Sequence, residues 1–191
     1  HRRMEGRKVV LYVGLMTKND SVDVVIEAGL RIVREKQRND CYIVLLGDGD
    51  VRKALQDQVE KEGMQHAFLF RGIVGHVEVM EYLDVARVCL APDLPNGLNE
   101  YLTLVKVLEY MKAGKPFVSF DLPETRMIAG DAGMYASDVR DFADKIVELL
   151  DNPAEAQRLG ALGKARVERE YLWSHSEREL CRAYEGILGD S

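Results

Sequence analysis

Val9-Val10-Leu11-Tyr12-Val13 is an unbroken apolar run that stops at Gly14, and Tyr42-Ile43-Val44-Leu45-Leu46 stops in the same way at Gly47. Apolar runs with no polar alternate read as strands buried on both faces, the environment of a parallel sheet. Between them Val22, Val25, Ile26, Gly29, Leu30 and Val33 recur at helical spacing, with Asp20 or Ser21 placed to cap that helix. The unit returns along the chain. A helix is expected from about Val51 to Glu62, a strand at Phe68-Leu69-Phe70 ending at Arg71-Gly72, and a short helix from His76 to Leu83. Val88–Ala91 is a fourth strand, followed by a helix from about Tyr101 to Lys112; Pro116–Phe120 is a fifth and Met134–Ala136 a weak sixth. Three helices, near 138–150, 153–170 and 174–188, close the chain. Such alternation demands right-handed crossovers and a sheet covered on both faces. The expected fold is α/β: a Rossmann-like, doubly wound parallel sheet of about six strands. Ligands of such sheets bind beyond the carboxyl ends of the strands, so the informative loops begin near residues 14, 47, 72, 93 and 120.

No repeat, low-complexity tract or linker interrupts the 191 residues, so residues 1–191 read as one domain. The first residue is His1 rather than Met, which suggests a piece of something longer. Charged residues at 30% exclude wholesale disorder, and 26 basic against 32 acidic residues argue against nucleic acid as the main partner. No run of eighteen apolar residues and no secretory leader is visible, so a cytoplasmic location is expected. Cys41, Cys89 and Cys181 form no C-x-x-C pair and are expected to be small buried hydrophobes. His66, His76 and His175 are scattered without zinc-ligand spacing, so no metal and no bound cofactor is expected.

The first loop, Gly14-Leu15-Met16-Thr17-Lys18-Asn19-Asp20, has no G-x-G-x-x-G, and nowhere is there a G-x-x-x-x-G-K-[ST]. Gly47-Asp48-Gly49-Asp50 reads more readily as a plain turn than as a ligand loop. Residues 91–116, APDLPNGLNEYLTLVKVLEYMKAGKP, carry more information. Residues 99–104 would lie at a helix start, where unpaired N–H groups and the positive dipole end stabilise a phosphate or diphosphate. Lys106 and Glu109 are three apart on that helix. They make either a surface ion pair or a division of labour, with Lys106 on phosphate and Glu109 on ribose hydroxyls. Asp93, Asp121 and Glu124 near strand ends are either ligand contacts or turn and cap residues, and Trp173 reads as a packed aromatic anchor.

The succession LYVG, VVIEA, IVLLGDGD, FRG, APD, LNEYLTLVKVLEYMKAGKPFVSF and DLPETR resembles the carboxyl-terminal half of the group 1 (family 4) retaining glycosyltransferases of the two-Rossmann-domain GT-B class. The similarity runs to Tyr171-Leu172-Trp173 and the final helix, and its most specific piece is Asn99…Lys106…Glu109-Tyr110-Met111…Gly114-Lys115-Pro116. The resemblance implies a half that binds the nucleotide of a nucleotide diphosphate sugar. Glu109 would hold the ribose, the backbone at Thr103 and Leu104 the diphosphate, and Glu100 the donor sugar. Gly49, Arg71 and Ile73 would flank the base, and Gly14, Lys18 and Asn99 would complete the donor site. Lys106 and Glu100 would serve transfer itself. The implied partners are a missing amino-terminal Rossmann domain and an acceptor that is a sugar, a lipid-linked sugar or a small molecule. Lipid-linked acceptors would bring the cytoplasmic protein to the inner membrane face.

Two positions differ from the common pattern of the family. Leu15 stands where many members carry Arg, and Asp20 where they carry Lys, both on the diphosphate. Lys18, Lys106 or Arg126 are the available substitutes. Asp20 and Leu15 also motivate a rival reading, a non-catalytic binding domain of the same fold. Half of a nucleotide-sugar epimerase is another, and a flavodoxin-like regulator a more distant one.

Overall fold

The computed structural model describes residues 6–188. Six strands, β1 (Lys8–Val13), β2 (Cys41–Leu46), β3 (Phe68–Gly72), β4 (Ala86–Ala91), β5 (Phe117–Phe120) and β6 (Met134–Ala136), form one sheet in the order β3-β2-β1-β4-β5-β6. Every pairing is parallel; Leu11 lies opposite Val44 on one side and Cys89 on the other. The helices are α1 (Val22–Arg34), α2 (Arg52–Lys61), α3 (His76–Val85), α4 (Val105–Lys112), α5 (Pro123–Ala129), α6 (Val139–Asp151), α7 (Pro153–Glu170) and α8 (Trp173–Leu188).

Strand period decides which helix covers which face. Val10, Tyr12, Ile43 and Leu45 point into a core shared with α1, α2 and α6. Their alternates Leu11, Tyr42, Val44 and Leu46 point into a second core with α3 and α4. All six residues of β2 are buried, as its unbroken apolar run requires. Each fully buried aliphatic side chain contributes about 1.5–3 kcal/mol of transfer free energy. The order reverses direction between β1 and β4, so their diverging loops leave a crevice at the carboxyl ends.

The elements follow the sequence reading with four exceptions. The helix expected from Tyr101 begins at Val105, preceded by a separate 3-10 turn at Asn99–Tyr101. Leu102 and Leu104 are extended, and Thr103 gives its hydroxyl to Glu124 at 2.8 Å rather than to the helix. The helix at Pro123–Ala129 was not anticipated, although proline in its first turn followed by Glu124 is a start signal. Ser21 occupies the N-cap of α1, but in a left-handed conformation, φ 50°, and its hydroxyl accepts from Leu94 N–H instead of capping. Finally, Cys41 and Cys89 are buried as expected, but Cys181 is exposed, and so is Trp173, at 72%. Neither is a packed residue of this unit. Among the described residues no helix is long and apolar enough to cross a membrane.

Candidate functional site

The crevice between β1 and β4 is floored by backbone. Gly47 N–H bonds the Gly72 carbonyl and Gly14 N–H the Leu46 carbonyl, so the first three loops lie edge to edge. Two glycines permit the close approach: a Cβ at Gly47 would sit 1.8 Å from the Gly14 carbonyl oxygen, and one at Gly49 would sit 2.2 Å from the Met16 carbonyl oxygen, which itself accepts from Val51 N–H. Gly49 is therefore a packing glycine, and the G-x-G at 47–49 is a turn fitted against the first loop. Met16 N–H returns a bond to Asp48, at 2.9 Å.

The first loop is closed by its own carboxylate. Asp20 accepts from Thr17 N–H at 3.1 Å and from the Thr17 hydroxyl at 2.5 Å. Asn99, buried, donates its amide to the Asn19 and Leu94 carbonyls, both at 3.0 Å, which ties the first loop to the fourth. The Asn99 side chain thus has a positioning task and faces backbone rather than open crevice.

Lys106, in the first turn of α4, is the centre of the arrangement. Its ammonium lies 2.9 and 3.0 Å from the two oxygens of Asp93, 3.8 Å from Asp20, and 5.2 Å from the centre of the Tyr12 ring. Asp93 is only 3% exposed; its pKa is raised because the loss of water outweighs the pull of Lys106. The expected i, i+3 pair between Lys106 and Glu109 is not formed. Two carboxylates around one ammonium leave this spot with net negative charge.

Tyr12 and Tyr110 brace the crevice from below. The Tyr12 hydroxyl donates to the Leu15 carbonyl at 2.5 Å, and its phenol is pushed far up by burial and then by Asp20 and Asp93. The Tyr110 hydroxyl accepts from Val13 N–H at 3.0 Å and donates to the Leu90 carbonyl at 3.1 Å, bridging β1 and β4 at their carboxyl ends. Sequence reasoning overlooked Tyr12, although a phenol inside an apolar strand run has to find a polar partner.

Above this floor the groups offered to a ligand are few. The N–H groups of Val105 and Lys106 open α4 without an acceptor among the described residues, while Val107 N–H bonds Leu104. Thr103 and Leu104 N–H likewise have no acceptor among the described residues, so the unpaired amides continue from the expected 103–104 into 105–106. Glu109, one turn into α4, is exposed, as is Lys18 on the first loop; Glu100 is half-buried on the 3-10 turn. Gly14 lies beside Lys106, since a Cβ there would be 3.5 Å from its Cε. Thr103 is exposed beside buried Leu104. On the third loop Arg71 pairs with Glu78 at 2.8 Å and Ile73 is 80% exposed.

The other candidates point elsewhere. Arg126 pairs with Asp121 at 2.6 and 2.8 Å and stacks 4.1 Å from the Tyr135 ring centre, so it does not join the crevice cluster. Asp121 and Glu124 are accordingly engaged within the protein. Among the described residues no group of His, Cys, Asp or Glu is arranged to hold a metal ion; the His175 side chain lies outside them.

Known proteins of the same build place this geometry in context. Residues 7–152 match the model of the family described as glycosyl transferases group 1. The chain is 24% identical over 188 residues to the alpha-D-kanosaminyltransferase of Streptomyces kanamyceticus, covering 96% of this chain and 47% of that one. It superposes on Anabaena Alr3699/HepE, solved in complex with UDP, with a TM-score of 0.80 at 13% identity over 96% of this chain and 50% of that one. It also superposes on the carboxyl-terminal domain of the group 1 glycosyl transferase LpcC from Francisella tularensis, with a TM-score of 0.72 at 18% identity, covering 89% and 91%. The chain spans about half the length of the curated relatives it matches. A parallel sheet in this order, a crevice at its reversal and a family model matched across the first six strands have one meaning: the chain belongs to the glycosyl transferases group 1 family.

Proposed function

We propose that this chain is the donor half of a retaining glycosyltransferase and binds the nucleotide of a nucleotide diphosphate sugar in the β1/β4 crevice. The observation that carries the reading is the opening of α4. Two unpaired amides, the Lys106 ammonium and the exposed Glu109 carboxylate succeed one another along one helix at the sheet's reversal point. The amides and Lys106 meet the diphosphate, Glu109 the ribose hydroxyls, and Glu100 the sugar. The Anabaena protein, which shares this fold over half its length, was solved with UDP, and that supports a nucleotide as the ligand.

In this reading the acceptor attacks the face from which the diphosphate leaves, and the chain's contribution is electrostatic. The α4 amides and Lys106 stabilise charge on the departing phosphate without a metal ion. An amino-terminal Rossmann half supplies the acceptor pocket, and exposed Leu15, Leu98, Tyr101 and Val105 around the crevice suit a surface that another domain covers. We place the whole protein in the cytoplasm, with peripheral membrane contact arising through that half.

Calorimetric titration with UDP, GDP and ADP, beside Glu109→Ala, tests the reading. Binding of one nucleotide that the variant loses is expected; binding that survives Glu109→Ala unchanged sinks the assignment of the ribose site. A second reading, a non-catalytic domain of the same fold, is favoured by one observation only: Lys106 is already neutralised by Asp93 and Asp20. A folded chain that, joined to its other half, binds no nucleoside diphosphate would select it.

A further inference from the structure

At the opposite end of the sheet the amino-terminal ends of β1, β4 and β5 border a cavity of about 660 Å³. Three cationic side chains line it. Lys8 opens β1, Arg87 is the second residue of β4, and Lys115 precedes β5 by two residues. These strands are direct neighbours, with Val9 opposite Ala86 and Cys89 opposite Phe117. Like charges gathered on adjacent strands repel one another, and the sheet gains nothing from them. Arg87 is an exposed residue between buried Ala86 and Val88, so the core does not require it either.

The protein offsets only part of this charge. The Lys8 ammonium donates to the Leu150 carbonyl at 3.0 Å and lies 3.3 Å from Asp40 and 3.6 Å from Asp151. Those two carboxylates are shared with Arg38, so the four groups balance. Lys115 donates to the neutral carbonyl of Asp84 at 2.6 Å and keeps its charge. Among the described residues the Arg87 guanidinium has no hydrogen bond and no ion pair. Asp151 also lines the cavity but is engaged by Lys8 and Arg38, so two uncompensated cations face a cavity whose volume falls in the range of small-molecule sites. Gln157, on the first turns of α7, adds a neutral amide to the same wall.

We infer that this cavity is a second ligand site, for a phosphate dianion either free or carried on a small sugar. Arg87 and Lys115 hold the phosphoryl oxygens, Arg87 through its planar fork of donors, and Gln157 is left for hydroxyl groups. The site lies at the other end of the strands from Glu109, so its occupancy is independent of the nucleotide crevice.

The test is calorimetric titration of the 191-residue chain with inorganic phosphate, with glucose 6-phosphate and with glucose. Saturable binding of the phosphorylated probes and none of glucose is expected. Tighter binding of glucose 6-phosphate identifies a sugar phosphate as the ligand, and equal binding identifies free phosphate. Arg87→Ser should weaken binding about tenfold or more, with Arg87→Lys recovering part of it. Thermal unfolding of both variants should match the parent, since Arg87 is exposed. Absence of saturable binding of either anion overturns the proposal. So does binding that Arg87→Ser leaves intact, or that Glu109→Ala removes, because the anion then sits at the nucleotide crevice.

Discussion

Lys106 and Asp93 form the most enclosed ion pair among the described residues, with side chains only 11% and 4% exposed. The pair joins α4 to the loop after β4, beside the sheet's reversal point. Such pairs contribute little net stability, but removing one partner strands the other.

Lys106→Met is therefore expected to cost about 3–5 kcal/mol near neutral pH. Asp93 offers an escape, because burial already raises its pKa. A carboxyl with a raised folded pKa binds its proton more readily folded than unfolded, so stability increases as pH falls through that pKa. Urea unfolding of the variant should show the deficit shrinking in mild acid. The double variant Lys106→Met/Asp93→Asn should recover most of it at neutral pH. A deficit that is flat with pH and unrelieved in the double variant would show that the pair is not what Lys106 supports.

Asp20 faces the same ammonium and lies where the proposed diphosphate sits. Asparagine there keeps an oxygen for Thr17 and so preserves the closure of the first loop. Asp20→Asn should tighten nucleoside diphosphate binding by about 0.5–1 kcal/mol, a few-fold in affinity, by removing a like charge. The gain should shrink at high salt. Unchanged binding by the variant in the same titration would place the diphosphate away from Asp20, and weaker binding would mean that Asp20 supports the site rather than opposing it.

Much of this architecture is legible in the chain because its strands announce themselves. Runs such as Tyr42–Leu46, with no polar interruption, have only a doubly covered parallel sheet to occupy, and β2 is buried from end to end. The crevice was legible in outline through the N-x-x-x-x-x-x-K-x-x-E-Y-M string of Asn99, Lys106, Glu109, Tyr110 and Met111. Its wiring was not. Whether Lys106 pairs with Glu109 three residues on or with Asp93 thirteen residues back depends on how β4's loop folds over α4, which local spacing does not encode. The delayed start of α4 has the same origin. Thr103 and Asn99 spend their side chains on Glu124, Asn19 and Leu94, long-range partners that compete with a continuous helix. Gly49 is the converse case, a local turn whose necessity comes from the Met16 carbonyl of another loop.

Tyr110→Phe isolates one such long-range tie. The hydroxyl is the acceptor for Val13 N–H and a donor to Leu90, so its removal leaves two backbone groups short of a partner beside β1 and β4. The expected loss is about 1–3 kcal/mol by urea unfolding, with little change in the shape of the side chain. Amide exchange at Val13 should accelerate in the variant. Unaltered protection there would mean that water or another group takes over the bond.

At the other end of the sheet Arg38 couples Asp40 to Asp151, with contacts of 2.6–3.0 Å. The Arg38 hydrogen bond is the largest of the influences that hold Asp40 at about 2, below its ordinary 3.8, with Lys8 adding to it. A depressed folded pKa means that the unfolded chain binds the proton first, so this contribution is complete above the unfolded value. It is lost as pH falls from about 4 toward about 2. Asp40 is 43% exposed in its side chain, so solvent screens the pair and salt should weaken the effect further. Arg38→Met is expected to return Asp40 toward its ordinary value and to flatten this acid limb in thermal unfolding. Carboxyl NMR titration of Asp40 reads the shift directly. An acid limb that persists in Arg38→Met, with Asp40 still depressed, would assign the effect to Lys8, the other cation on Asp40, and would leave Arg38 as a link between Asp40 and Asp151 without a share in acid stability.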